Sequence, residues 1–323
     1  MRYLNPKADL TFKKVFGEHP DLVRSLLNAL LPFETPEEEI SEVEYLPAEL
    51  VPDTPLKKNS IVDVRCKDRR GRQFIVEMQM LWSPAFMQRV LFNASKAYVR
   101  QLNGREKYEL LQPVYSLNLV NDVFEPEMES YYHDYRIVCM EKTDRVIDGL
   151  RFVFVELPKF KPQTFSQKKM HVLWLRYLTE IDENTREIPQ ELMDNPEINK
   201  AVTQIQESAF SDAQLLGYDD FWDAVRVEKT IVSDAERKGM AQGMAQGMAQ
   251  GIEKGMAQGM AQGMAQGMAQ GMAQGIEKGI AQAEVKWRTE EKRDIARNLK
   301  SLGLATEQIQ AATELTAEEI ENL

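Results

Sequence analysis

Two carboxylates and a carboxamide share one face of a short segment, Ile61 to Met80, which reads IVDVRCKDRRGRQFIVEMQM. They are Asp63, Glu77 and Gln79. Val62, Val64 and Cys66 alternate with Ile61, Asp63 and Arg65, and Phe74, Val76 and Met78 alternate with Ile75, Glu77 and Gln79. That period of two predicts paired strands. Gly71 suits the left-handed residue of a three-residue loop, Arg69-Arg70-Gly71. With Asp68 and Arg72 flanking the loop, Asp63 falls opposite Glu77, and Gln79 follows on the same face. Opposed carboxylates repel unless a cation sits between them or water solvates both. Two hard oxygen ligands with open positions suit Mg²⁺. A solvated polar face is the plain alternative. Ile61 and Ile75 share the face with the carboxylates and argue that it is partly buried.

Charge is uneven around this segment. The net charge of −11 speaks against a general polycation for nucleic acid. Between Lys57 and Arg72, however, seven basic residues (Lys57, Lys58, Arg65, Lys67, Arg69, Arg70, Arg72) stand against Asp63 and Asp68. Arg69, Arg70 and Arg72 are candidate phosphate contacts beside an acidic pocket. An ordinary hairpin tip kept soluble by charge reads the same way.

Helices and further strands must position these groups. Asn5 predicts a cap with Pro6 at the first helical position, Phe12, Val15 and Phe16 as the apolar stripe, and Gly17 as the end. Asp9 and Lys13 lie one turn apart, within reach of a cleft, although a surface pair is the simpler reading. A second helix runs from Pro20 to Leu30, and a short strand from Val43 to Leu46. After the hairpin, Ser83-Pro84 starts a helix to about Asn103, ended by Gly104. Met87, Leu91, Ala94, Tyr98 and Leu102 predict its buried stripe, and Arg89, Asn93, Lys96 and Arg100 a polar one. Pro113–Val120, Arg136–Met140 and Leu150–Leu157 read as strands, with Asp148-Gly149 as a turn. His133 falls in a loop. Three scattered histidines build no His-based metal motif. Helices follow near 166–182, near 196–210 and from Tyr218-Asp219.

Asp63, thirteen residues, then Glu77-Met78-Gln79 resembles the active-site hairpin of PD-(D/E)XK nucleases. The run NPKADLTFKKVFG, Asn5 to Gly17, is similar to the opening of one branch, the Rpn recombination-promoting nucleases and transposases. The resemblance covers about residues 1–230. It implies an α/β fold: a restriction-endonuclease-like core with a mixed sheet and the order αβββαβ. It also implies metal-dependent hydrolysis of a DNA phosphodiester, with Asp63 and Glu77 on Mg²⁺ and Gln79 positioning water. Gln79 stands where the superfamily motif has Lys, a variant known in this branch. Arg89 and Lys96 on the following helix are then the candidates for the missing charge and for contacts to DNA, with an ordinary solvated face as the plain alternative. The rival is a degenerate nuclease fold that binds DNA or a protein partner.

The chain of 323 residues, 43% hydrophobic and 8% aromatic, holds one or two domains. Cys66 and Cys139 are too far apart in sequence to suggest a disulfide framework or a zinc site. No apolar run reaches membrane-spanning length, so a cytoplasmic protein without membrane association is expected. From Gly239 to Gln282 the chain is eleven tetrapeptides: eight GMAQ, two GIEK and one GIAQ. Glycine at every fourth position costs about 1 kcal/mol each, which makes an isolated helix marginal. A four-residue period drifts about 40° per unit, so no fixed seam forms. The reading is a partly helical spacer; homo-oligomerisation through it is the alternative. The expected domains are 1–217, nuclease-like; 218–283, the repeat arm; and 284–323, a short helical tail with a capping box at Thr316-Ala317-Glu318-Glu319.

Overall fold

The computed structural model describes residues 2–50, 60–102, 106–162 and 169–323. Lys57, Lys58, Gly104 and the expected helix start near Ser166 lie outside the described residues. The chain divides into one compact unit that ends at Ser233 and a second, Asp234–Leu323.

The first unit opens with α1 (Asp9–Phe12), which continues as a π-helical turn, Lys13–Gly17. The helix starts later than Asn5-Pro6 predicts. The Asn5 side chain instead accepts the Lys7 N–H at 3.1 Å in a turn, and Ala8 precedes the helix. Phe12, Val15 and Phe16 are buried as their spacing predicts. Next come α2 (Pro20–Leu30), β1 (Val43–Tyr45), β2 (Glu49–Leu50), β3 (Ser60–Ile61), β4 (Val64–Asp68), β5 (Gln73–Gln79) and α3 (Pro84–Val99). They are followed by β6 (Val114–Val120), β7 (Tyr132–Cys139), β8 (Lys142–Glu156), α4 (Met170–Glu180), α5 (Gln190–Met193), α6 (Pro196–Gln204) and α7 (Asp212–Ser301).

Six strands form a mixed sheet in the order β1-β4-β5-β6-β8-β7. The β5–β6 and β6–β8 pairs are parallel, and the remaining pairs are antiparallel. A separate two-stranded ladder joins β2 to β3. On one face, Val64, Cys66, Phe74, Val76, Leu117 and Leu119 pack under α2, α4 and α6. On the other, Ile75, Val114, Val120 and Phe154 pack under α3. This is the helix–sheet–helix layering of an α/β core.

Four local expectations are corrected. Asp148-Gly149 makes no turn: β8 runs through it and the turn falls at Met140-Glu141. The register steps from Arg136↔Arg151 to Ile137↔Ile147, so Asp148, Gly149 and Leu150 are a bulge. A Cβ on Gly149 would lie 3.3 Å from the Tyr98 hydroxyl, so glycine permits the close approach of that ring. His133 lies in β7, buried, not in a loop. The buried face of α3 is Phe86, Val90, Asn93, Ala94 and Ala97, while Leu91 is 45% exposed. The real stripe is rotated by about one residue, because Asn93 is drawn inward by a partner in the sheet. Lastly, α7 begins at Asp212, earlier than Tyr218. Tyr218 is buried and its hydroxyl accepts the Asn5 N–H at 2.8 Å, which ties the start of α7 to the N-terminus.

The repeat is helical throughout, inside the 90-residue α7. Good helix formers fill the three positions after each glycine except at Ile252, Ile276 and Ile280, proline is absent, and ordinary sequence at both ends supplies the nucleus. A Cβ added at any repeat glycine would meet nothing within 4 Å. In the second unit, α8 (Thr306–Thr313) and α9 (Ala317–Glu321) fold back on the end of α7 through Ala296, Ile309, Leu315 and Ile320. Gly303 makes the turn at φ 81°, and the Thr316–Glu319 capping box is formed. No helix among the described residues is long and apolar enough to cross a membrane.

Candidate active site

The hairpin has the expected register. Val64 pairs with Val76, Arg65 with Ile75, Cys66 with Phe74 and Lys67 with Gln73. Gly71 takes φ 82°, and Asp68 Oδ1 accepts the N–H groups of Arg70 and Arg72, both at 2.9 Å. The ladder stops at Val64, so Asp63 occupies the first unpaired position. Its side chain, rather than its backbone, crosses to β5, where Oδ2 accepts the Met78 N–H at 2.8 Å. This break changes one expectation. Ile61 belongs to the ladder with β2 and is 65% exposed, so it does not shield the carboxylates. On this face α3 reaches Glu77 through Asn93.

Glu77 is 5% exposed, at the end of β5 beside Asn118 of β6. The Asn93 amide of α3 donates to Glu77 Oε1 at 3.3 Å. Asn93 is itself 1% exposed, and its Oδ1 has no partner. Burial, and then the Asp63 charge, push the Glu77 carboxyl up to about 8; Arg89, Asn93 and Lys13 oppose this. Burial also raises the Asp63 carboxyl, against the Met78 N–H and Lys13.

Gln79 is held at both ends of its amide. Nε2 donates to the Leu81 carbonyl at 2.6 Å, and Oε1 accepts from the Arg89 guanidinium at 2.7 Å. Arg89 of α3 therefore brings its charge to position 79. Lys96, seven residues further along α3, does not: its ammonium binds the Leu50 carbonyl and lies 5.6 Å from the Phe92 ring centre. One helix face thus carries Arg89 and Asn93 to the site, whereas the sequence places Asn93 on a polar stripe apart from the buried one. The missed signal is the i, i+4, i+7 spacing of Phe86, Val90 and Asn93.

The hairpin arginines are not brought to the carboxylates. They sit at the opposite end of the ladder, and the nearest, Arg72, is about 17 Å along the strand from Glu77. Arg72 is buried, bound to Asp68 Oδ2 at 2.7 Å and to the Glu38 carbonyl at 2.7 Å, over the Phe33 ring. Arg69 pairs with Glu42, and Arg70 reaches the Glu37 carbonyl. All three tie the hairpin to the acidic segment before β1. Arg69, Arg70 and Arg72 are therefore satisfied by the neighbouring acidic chain rather than gathered at the site.

Lys13 does reach the site. It pairs with Asp9 at 2.6 Å and lies 4.0 Å from Asp63 Oδ1. Burial pulls its ammonium down, but the Asp9 hydrogen bond and the charges of Asp9, Asp63 and Glu77 outweigh that and leave it above its ordinary value.

A six-stranded mixed sheet carries the paired carboxylates at the open end of one hairpin. The family model for the PD-(D/E)XK nuclease family transposase matches residues 6–235. The chain belongs to that family. Membership supports a nuclease-type function for the unit that carries Asp63 and Glu77. Searches of curated proteins and of solved structures returned no match.

The donor set of this nuclease domain suits a hard divalent cation. Among the described residues, no three His, Cys, Asp or Glu side chains gather as a ligand cluster. Two carboxylates, both raised by burial, are nonetheless uneasy together without a positive charge between them. They fit an ion that keeps most of its own water.

Proposed function

We propose that this protein is a metal-dependent DNA endonuclease of the Rpn recombination-promoting type, acting in the cytoplasm. The observation that carries the reading is the buried Glu77 beside Asp63, at a position where ionising both carboxylates without a cation is costly. The similarity of residues 5–17 to the Rpn opening supports the branch. Asp63 and Glu77 would hold Mg²⁺, which when bound would polarise the phosphate and the attacking water.

The chain's own groups arrange the rest. Asn93 fixes the rotamer of Glu77, and the Met78 N–H fixes that of Asp63. Gln79 is locked between Leu81 and Arg89, and the second lone pair of its Oε1 is left to orient a water. Arg89 places a fixed positive charge where the phosphate gathers negative charge. In the reaction a water oxygen bonds to phosphorus and the bond from phosphorus to the leaving sugar oxygen breaks. The water gives up a proton and the leaving oxygen takes one.

Gln79 in place of Lys favours a second reading, a degenerate nuclease fold that only binds DNA or a partner. Incubating supercoiled DNA with purified protein separates the two. Nicking with Mg²⁺ that EDTA abolishes, and that Asp63→Ala loses, supports the enzyme. Binding without nicking at any divalent ion supports the binder.

A further inference from the structure

The geometry points to Lys13 as a further catalytic residue: its ammonium binds a non-bridging oxygen of the reacting phosphate and adds a second positive charge to the one that Arg89 brings to position 79. This rests on the nuclease reading of the Asp63–Glu77 site.

Three observations carry it. First, among the described residues Lys13 is an ammonium placed against the carboxylate pair, 4.0 Å from Asp63 Oδ1, whereas the α3 lysine, Lys96, is engaged elsewhere. Second, the neighbouring lysine shows that this placement is specific. Lys14 points away, donates to the Ala209 carbonyl at 3.0 Å and covers the Phe210 ring at 4.5 Å. Two adjacent, chemically identical side chains are therefore divided between fold and site. Third, Lys13 begins the π-helical turn, Lys13–Gly17. That turn departs from the α-helical pattern while Val15 and Phe16 stay fully buried. Such turns are rare and are frequently found at functional sites.

Lys13 and Arg89 reach the carboxylates from different layers. Lys13 comes from the layer that packs with α2, and Arg89 from α3 on the other face of the sheet. The Lys13 side chain is 42% exposed and that of Asp63 is 20% exposed, so the ammonium stands at the mouth of the site. A phosphate entering there meets the ammonium before it meets the carboxylates. Asp9 holds the ammonium in place at 2.6 Å and leaves two of its three N–H donors for other partners.

A plain surface ion pair between residues 9 and 13 is the competing account, and it makes different predictions. The experiment uses the full chain with Lys13→Met, Lys13→Arg, Asp9→Asn, and Lys13→Met combined with Gln79→Lys. Thermal denaturation first establishes that each variant is folded. Mg²⁺-dependent nicking of supercoiled DNA then gives kcat and KM. Affinity for a short fluorescent duplex in EDTA is measured against salt concentration. Under the proposal Lys13→Met lowers kcat at least 30-fold with KM changed less than threefold. Lys13→Arg retains more activity than Lys13→Met, and adding Gln79→Lys restores at least tenfold. The salt dependence of duplex binding falls by about one phosphate contact, roughly 0.9 in the log–log slope, and Asp9→Asn does not lower it.

Equal losses in Lys13→Met and Asp9→Asn, with no restoration by Gln79→Lys, would overturn the proposal in favour of the ion pair. If the wild-type protein nicks no DNA, the nuclease reading fails on its own. The salt slope then decides Lys13: an unchanged slope overturns the phosphate contact, and a drop of about 0.9 upholds it.

Discussion

Replacing Glu77 by Gln should make the metal-free protein more stable at alkaline pH while abolishing its nuclease activity. Glu77 is 5% exposed and faces Asp63. Burial and that neighbouring charge push its carboxyl up to about 8, from an ordinary value of 4.5. A carboxyl raised on folding favours the protonated native state. The stability it contributes is complete below the ordinary value and is lost as pH rises through about 8. Taken at full weight, the loss between pH 5 and pH 8.5 is about 4 kcal/mol. Relaxation around the partly exposed Asp63 reduces it, and roughly 2 kcal/mol is expected in practice. Gln has nearly the same shape, keeps an oxygen for the Asn93 amide, and carries no charge to desolvate. For a unit of this size, about 2 kcal/mol corresponds to a rise in Tm of roughly 4–8 °C. The assay is calorimetric or circular-dichroism melting in EDTA at pH 5 and pH 8.5. The variant should melt within about 2 °C of wild type at pH 5 and well above it at pH 8.5. Adding Mg²⁺ should stabilise the wild type at pH 8.5 and not the variant. A variant that melts lower than wild type at pH 8.5, or shows the same difference at both pH values, would refute the argument that Glu77 is a strained charge awaiting a cation.

Asp63→Ala should remove Mg²⁺-dependent nicking and leave the melting temperature near wild type, since only one hydrogen bond, from the Met78 N–H, is lost; wild-type nicking by this variant would displace Asp63 from the mechanism. Arg89→Ala should cost at least tenfold in nicking rate because Gln79 loses its partner, whereas Lys96→Ala should leave the rate alone and cost about 1 kcal/mol in stability; equal rates for the two would show that Arg89 supplies no charge to the site. Glu156→Ala should destabilise by about 3 kcal/mol or more in urea melts, because Glu156 is fully buried and accepts from Lys159, His133 and the Phe124 and Glu125 N–H groups. Deleting two repeat units, Gly255 to Gln262, should leave both nicking and the melting of the nuclease unit unchanged. A change confined to oligomer size in sedimentation would instead assign assembly to the arm, and a large fall in melting temperature would contradict a passive spacer.

The hairpin was legible in sequence because its information is local. Alternation from Ile61 to Gln79, broken only by a glycine-bearing loop, is satisfied by one register, and a slip of one residue would turn Val64 and Val76 out of the core. The stripe Phe12, Val15, Phe16 and the Pro20–Leu30 helix were equally readable from spacing. Tertiary structure decided what covers each face. Ile61 shares its parity with Asp63, yet the strand breaks between them and Ile61 joins another ladder. Arg69, Arg70 and Arg72 make a basic cluster in sequence and are each claimed by chain before β1. Asn93 reads as part of a polar stripe and is drawn inward by Glu77, sixteen positions away. Asp9 and Lys13 are one turn apart in sequence, and helical spacing parts Lys13 from Lys14, but only the tertiary structure shows that Lys13 meets Asp63 and Lys14 meets Ala209. Periodicity records which positions point the same way. Which partner waits there depends on contacts far along the chain, and a side chain's charge and neighbours in sequence do not encode them.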